Sequence, residues 1–329
     1  MTAERDTQSQ RRYRVAFVAT AMLLLGIIVT LPFSLASVVD DVLGPATGKV
    51  IPLLRGPAAT SAPAYSRLHL AVTAVDEVQL LATLRVSGHY TCNADCPWRD
   101  RILFVSVTPD DDDAEGLPPS AGIVVPESGK AVSETIQLPV RGSPIRYPFD
   151  SYHLVLGVLL QRVHPDGRVQ TLGHDQASQH LLLSIQELLP QKLMSPPVTI
   201  DPRSIRVASD PTDYAAAYAV TFERPRYLRV LAVLLVVLIA AAAVYSVLLR
   251  PLEDLVVNSA ALVLGVWGIR SILVPITLHF RTAVDLSLSL VILFLLGGVA
   301  VKALLVAHDR SGLRLLKRPP RSAGRRPGP

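Results

Sequence analysis

The sequence lacks every familiar catalytic pattern. It has no Gly-x-Ser-x-Gly elbow, no phosphate-binding loop and no zinc-protease helix. Its eight histidines show no paired metal spacing. These absences argue against an enzyme and predict neither a cofactor nor a metal. Aromatic residues are scarce, at 5%. The apolar half of the chain is carried instead by Leu, Val, Ala and Ile, which suit lipid-facing helices and buried strands alike. Only two cysteines occur, Cys92 and Cys96.

Acidic residues are few at the two ends of the chain. Residues 1–14 carry four Arg against Glu4 and Asp6, and residues 302–329 carry eight Lys or Arg against Asp309. Residues 40–225 carry 15 basic and 21 acidic residues, a balance of −6. The overall charge of +5 is therefore a property of the tails. It does not point to nucleic acid, because the central region is acidic.

What is present is clustered apolar sequence. Residues 15–39 carry no charge and exceed the ~20 residues needed to cross a bilayer. A retained signal anchor is expected here, with Pro32 near its outer end. A cleaved signal peptide is the rival reading, but its apolar core is usually only ~7–15 residues. Three further spans are expected at 228–249, 255–280 and 284–306, the last extended by a snorkelling Lys302. Arg11, Arg12 and Arg14 before the first span, and the basic tail 307–329, place both termini in the cytoplasm. Arg224, Arg226 and Arg229 run against that rule, on the outer side of the second span. The tail, rich in Pro and Gly, is expected to be disordered.

Residues 40–64, with Pro, Gly, Ala and Thr from 44 to 63, read as a linker. Residues 65–225 then read as a folded extracytoplasmic domain. Alternation predicts strands at 67–75, 78–87, 101–108, 121–125, 131–140, 152–163, 168–172, 180–188, 203–208 and 214–223. His164-Pro165-Asp166-Gly167 reads as a hairpin turn, and 180–190 carries a short helix as its alternative. The pattern predicts an antiparallel β-sandwich. The fold class expected is thus membrane α plus β, with one N-terminal and three C-terminal transmembrane helices around an extracytoplasmic antiparallel β-sandwich.

On the oxidising side of a membrane, Cys92 and Cys96 are expected to form a disulfide that pins a short loop. Free thiols, or a metal trio with His89 that lacks a fourth ligand, are the alternatives. The acidic run Asp110–Asp113 with Glu115 lacks the glycine and alternation of a calcium loop and reads as a solvated loop.

Arg146-Tyr147-Pro148-Phe149-Asp150-Ser151-Tyr152, followed by an apolar strand, resembles the Tyr/Phe-Pro-Phe-Asp motif of pentameric ligand-gated ion channels. In that family the loop lies at the membrane end of a β-sandwich, against the helices. The resemblance implies that Tyr147, Pro148, Phe149 and Asp150 form a domain–membrane coupling loop. Glu253-Asp254 resembles the acidic position at the cytoplasmic mouth of cation channels of that family. Three helices follow the domain here, where the channels have four. The face Asn258, Leu262, Gly265 and Ile269 that would line a pore is mostly apolar. The whole plan resembles more closely a bacterial four-span membrane family of unknown function, through the Tyr-Pro-Phe-Asp loop and through Ile269-Arg270, Pro275 and Asp285. Read locally, the same loop is a turn in which Pro148 fixes the backbone, Phe149 plugs an apolar contact and Asp150 caps amides.

Arg270 falls about 22 Å along the third span, counted from Leu255. A charge there is costly without a partner, and Asp285 at the start of the next span is the expected one. The expected partners of the protein are the lipid bilayer, a second copy of the chain, and an envelope or protein ligand of the outer domain.

Overall fold

The computed structural model describes residues 48–55, 66–89, 97–106, 120–124, 131–189, 192–201, 214–273 and 282–316, together with Pro32 and Ala36. The chain divides into two compact units, one centred on Ser34–Val230 and one built from Leu231–Ile276 and Val284–Pro329. Of the expected first span only Pro32 and Ala36 are described, both helical. Cys92, Cys96, Pro275, the acidic run at 110–115 and the expected strand at 203–208 lie outside the described residues.

The first unit is β-rich and holds two sheets. The first sheet orders β1 (Ile51–Leu54), β10 (Leu181–Glu187), β2 (Ser66–Asp76), β3 (Leu81–His89) and β6 (Ala131–Pro139). The second orders β11 (Leu193–Met194), β13 (Ala216–Glu223), β8 (Ser151–Val163), β4 (Arg99–Ser106) and β5 (Ser120–Val124). β12 (Val198–Thr199) pairs with β13, and β7 (Arg141–Gly142) and β9 (Val169–Leu172) pair with β8.

Period-two alternation produces these strands. In β2, Leu68, Leu70 and Val72 are buried while Arg67 is exposed. In β8, Tyr152, Leu154, Leu156 and Val158 are fully buried. Inward residues of both sheets, among them Leu70, Leu84, Leu183, Phe104, Leu156 and Phe222, belong to one buried cluster. Each such side chain contributes roughly 1.5–3 kcal/mol by leaving water. Two polar contacts also run between the sheets: Ser106 Oγ donates to the Pro139 carbonyl at 2.7 Å, and the Tyr218 hydroxyl donates to the Leu53 carbonyl.

Two sequence expectations need correction here. Within the expected linker, Ile51–Leu54 is a strand, with Ile51 opposite Ile185 and Leu54 opposite Leu183. Leu53 and Leu54 are buried, so this apolar run contributes to the core instead of spanning to it. Nor is the first sheet wholly antiparallel, because β10 runs parallel to β2. The chain leaves β9 in the second sheet through helix α1 (His174–His180) and enters the first sheet beside β2 in the same direction. The expected strand at 180–188 is present as Leu181–Glu187, and a helix lies just before it, where no apolar alternation exists. The His164–Gly167 turn is present, with Gly167 at φ +82° and its N–H donating to the His164 carbonyl at 2.9 Å.

The second unit is helical. α2 (Arg226–Leu249, whose first turn belongs to the first unit), α3 (Leu252–Leu273) and α4 (Ala283–Leu316) supply three helices long and apolar enough to cross a membrane. Arg250-Pro251 separates the first two, and Glu253 and Asp254 occupy the first turn of α3, where the helix dipole favours acids. A Cβ on Gly298 of α4 would lie 2.7 Å from both methyl groups of Val247 in α2, so these helices touch there. Lys302 Nζ donates to the Arg250 carbonyl at 2.6 Å, closing the end of α2. The expected disordered tail is corrected in part, since α4 continues to Leu316. No proline interrupts the sequence until Pro319. Residues 317–329 lie outside the described residues.

Candidate functional site

The β8–β13 register defines one end of the two sheets. Ser151 pairs with Glu223, so the residues just beyond that pair, Asp150 and Arg224, are brought together. Leu193 pairs with Glu223 on the other side of β13, which adds Lys192. The first sheet contributes Glu77 from the β2–β3 turn. Asp76 shapes that turn by accepting the backbone N–H groups of Val78 and Gln79 at 2.8 and 2.9 Å.

These four side chains form a buried charge cluster. Arg224 Nε donates to both Asp150 oxygens at 3.3 Å, and Arg224 Nη2 donates to Glu77 Oε1. Lys192 Nζ lies 2.9 Å from Glu77 Oε1 at ion-pair distance, without the alignment of a hydrogen bond. The side chains of Arg224, Asp150 and Lys192 are only 2%, 0% and 6% exposed. Two cations and two carboxylates balance, as burial at this depth requires.

Two tyrosines wall the cluster. Arg224 Cζ sits 4.8 Å from the centroid of the Tyr147 ring, and Lys192 Nζ sits 3.8 Å from that of Tyr152. Both contacts place a cation near an aromatic ring. Burial pushes the Tyr147 and Tyr152 hydroxyls above their ordinary range. Burial also lowers the Lys192 ammonium, and Glu77 opposes that shift.

The expected loop is thus half inside and half outside. A 3-10 turn, Pro144–Arg146, leads into it, the Tyr147–Pro148 bond is cis, and the Phe149 N–H donates to the Arg146 carbonyl at 2.7 Å. Tyr147, Pro148 and Asp150 are buried. The local reading is corrected in two respects. Phe149 is 53% exposed and fills no apolar gap, and Asp150 binds a guanidinium brought by a distant strand. The β8–β13 pairing, a long-range contact, overrides the local turn.

Sequence reasoning missed Glu77 and Lys192 as members of this site, and it met Arg224 only as an exception to the charge rule. That exception has a structural cause: Arg224 is neutralised inside the cluster, and Arg229 Nη2 pairs with Glu223 at 2.8 Å. Their charges are balanced by acids of the same domain.

In the helical unit the structure brings Arg270 and Asp285 together. Arg270 Nε donates to Asp285 Oδ1 at 2.5 Å, and Nη2 lies 3.5 Å from Oδ2. The fork joins the end of α3 to the start of α4. Among the described residues no group of three or more His, Cys, Asp or Glu converges as a metal site would. No protein-family model and no curated protein matches this sequence.

Proposed function

We propose that this is a multi-pass cell-membrane protein whose outer β-sandwich receives an envelope component or a protein partner and is fastened to its transmembrane helices through the Tyr147–Asp150 loop. One observation carries the reading. Arg224 is held by Asp150 and Glu77 and lies two residues before the start of α2 at Arg226. A buried, charge-compensated cluster stands where the β-rich unit leads into an apolar helix. A flexible tether would need no such cluster. The protein is non-enzymatic on this reading, and both termini are cytoplasmic.

Reporter fusions at the two termini test the placement: both should report the cytoplasm, and an external C-terminus overturns the arrangement. A second reading, an oligomeric channel, rests on the resemblance of the Tyr147–Asp150 loop to that of pentameric ligand-gated channels. It is also favoured by α3, whose Val257, Leu264 and Trp267 are 64–73% exposed and available to lipid or to another copy. The mass of the detergent-solubilised protein separates the two, since a monomer or dimer removes the pentameric channel and a five-fold ring supports it.

A further inference from the structure

Exposed apolar side chains flank the members of the buried cluster along the chain. Val78 follows Glu77, Phe149 precedes Asp150, Leu193 follows Lys192, and Ile145 lies two residues before Tyr147. Their exposures are 44%, 53%, 43% and 60%. Single exposed apolar residues need no explanation, and Val169 at the far end of β8 is such a case. Four of them, each within two residues of a member of one buried charge cluster or its tyrosine wall, mark that end of the domain as apolar.

Two exposed arginines flank it, Arg146 in the 3-10 turn and Arg226 at the start of α2, and neither has an ion pair among the described residues. Exposed aromatic and aliphatic side chains with unpaired cations beside them are the footprint of a surface that enters the boundary between lipid headgroups and acyl chains. Chain continuity says what covers this end. From Arg224, inside the cluster, two residues lead to a 24-residue helix long and apolar enough to cross a membrane, and that continuity argues for lipid as the occupant.

We propose that these apolar side chains are seated in the bilayer interface, with Ile145 and Phe149 among the acyl chains and with Arg146 and Arg226 holding the phosphates of anionic phospholipid. The proposal rests on the reading of the domain as fastened at the membrane, and it adds the lipid that the base touches.

The test uses the full-length chain in vesicles of phosphatidylcholine and phosphatidylglycerol. Phe149→Trp and Val78→Trp are each placed in a Trp98→Phe/Trp267→Phe background, with Val169→Trp as reference, and far-UV circular dichroism verifies that each folds. Val169 stands about 40 Å along β8 from the base, at roughly 3.3 Å per residue. With brominated acyl chains, the emission from positions 78 and 149 should be blue-shifted and largely lost, and that from 169 unchanged. The loss should be greater when bromine is carried on phosphatidylglycerol than on phosphatidylcholine, and Arg146→Gln/Arg226→Gln should abolish that difference. Unquenched, red-shifted emission at 78 and 149 means that these side chains stand in water and overturns the proposal. Unquenched, blue-shifted emission means that protein covers them, which overturns the lipid seat and leaves the fastening intact. Equal quenching by the two lipids overturns the role of the arginines. Because the terminal reporters test topology separately, failure here and failure of the wider reading are told apart.

Discussion

Arg224 is the residue on which the base of the domain depends. Removing it leaves the buried Asp150 and the half-buried Glu77 with one cation, Lys192. Breaking a buried pair in this way costs about 3–5 kcal/mol, far more than an exposed pair is worth. Arg224→Gln should therefore lower the denaturant midpoint of the domain strongly. Arg224→Gln combined with Asp150→Asn should recover part of the loss, because it removes the orphaned charge with its partner. Additive damage in the double variant would contradict the coupling. Glu187 gives a second prediction, with its own pH signature. Burial raises its carboxyl above the usual value of 4.5, and a hydrogen bond from the Met194 backbone opposes this in part. The folded state therefore binds its proton more tightly than the unfolded state, and the ionised form costs stability as pH rises through the folded value. Glu187→Gln should stabilise the protein at pH 7, and the gain should vanish in thermal melts below pH 4.5. An equal gain at both pH values would contradict the assignment.

At the scale of elements, the strands were legible in the sequence and their partners were less so. Alternation at 67–75 and at 152–163 needs only the local chain, and both strands lie within a residue or so of the expected limits. The parallel β10–β2 pair depends on how α1 turns the chain between sheets, which no local pattern encodes. The charge cluster is hidden for the same reason, since Glu77 and Arg224 lie 147 residues apart. Arg270 and Asp285 are only 15 apart and near the facing ends of successive helices, so reasoning from the cost of a charge in lipid was enough to pair them. Their exchange is the test at this scale. Arg270→Asp and Asp285→Arg should each reduce the folded yield, by an effect on the order of 2–3 kcal/mol for an uncompensated charge in a span. The double exchange should restore the yield, and a double variant as damaged as either single one removes the clasp.

For the whole molecule, we propose that the charge cluster anchors the first turn of α2, Arg226–Val230, to the β-rich unit. Double electron–electron resonance between bioorthogonal spin labels at positions 169 and 248 measures this directly in lipid nanodiscs. The distance distribution should be single and narrow in the native chain and should broaden on Arg224→Gln with the helices still folded. A distribution already broad in the native chain, or one that Arg224→Gln leaves unchanged, would contradict the account.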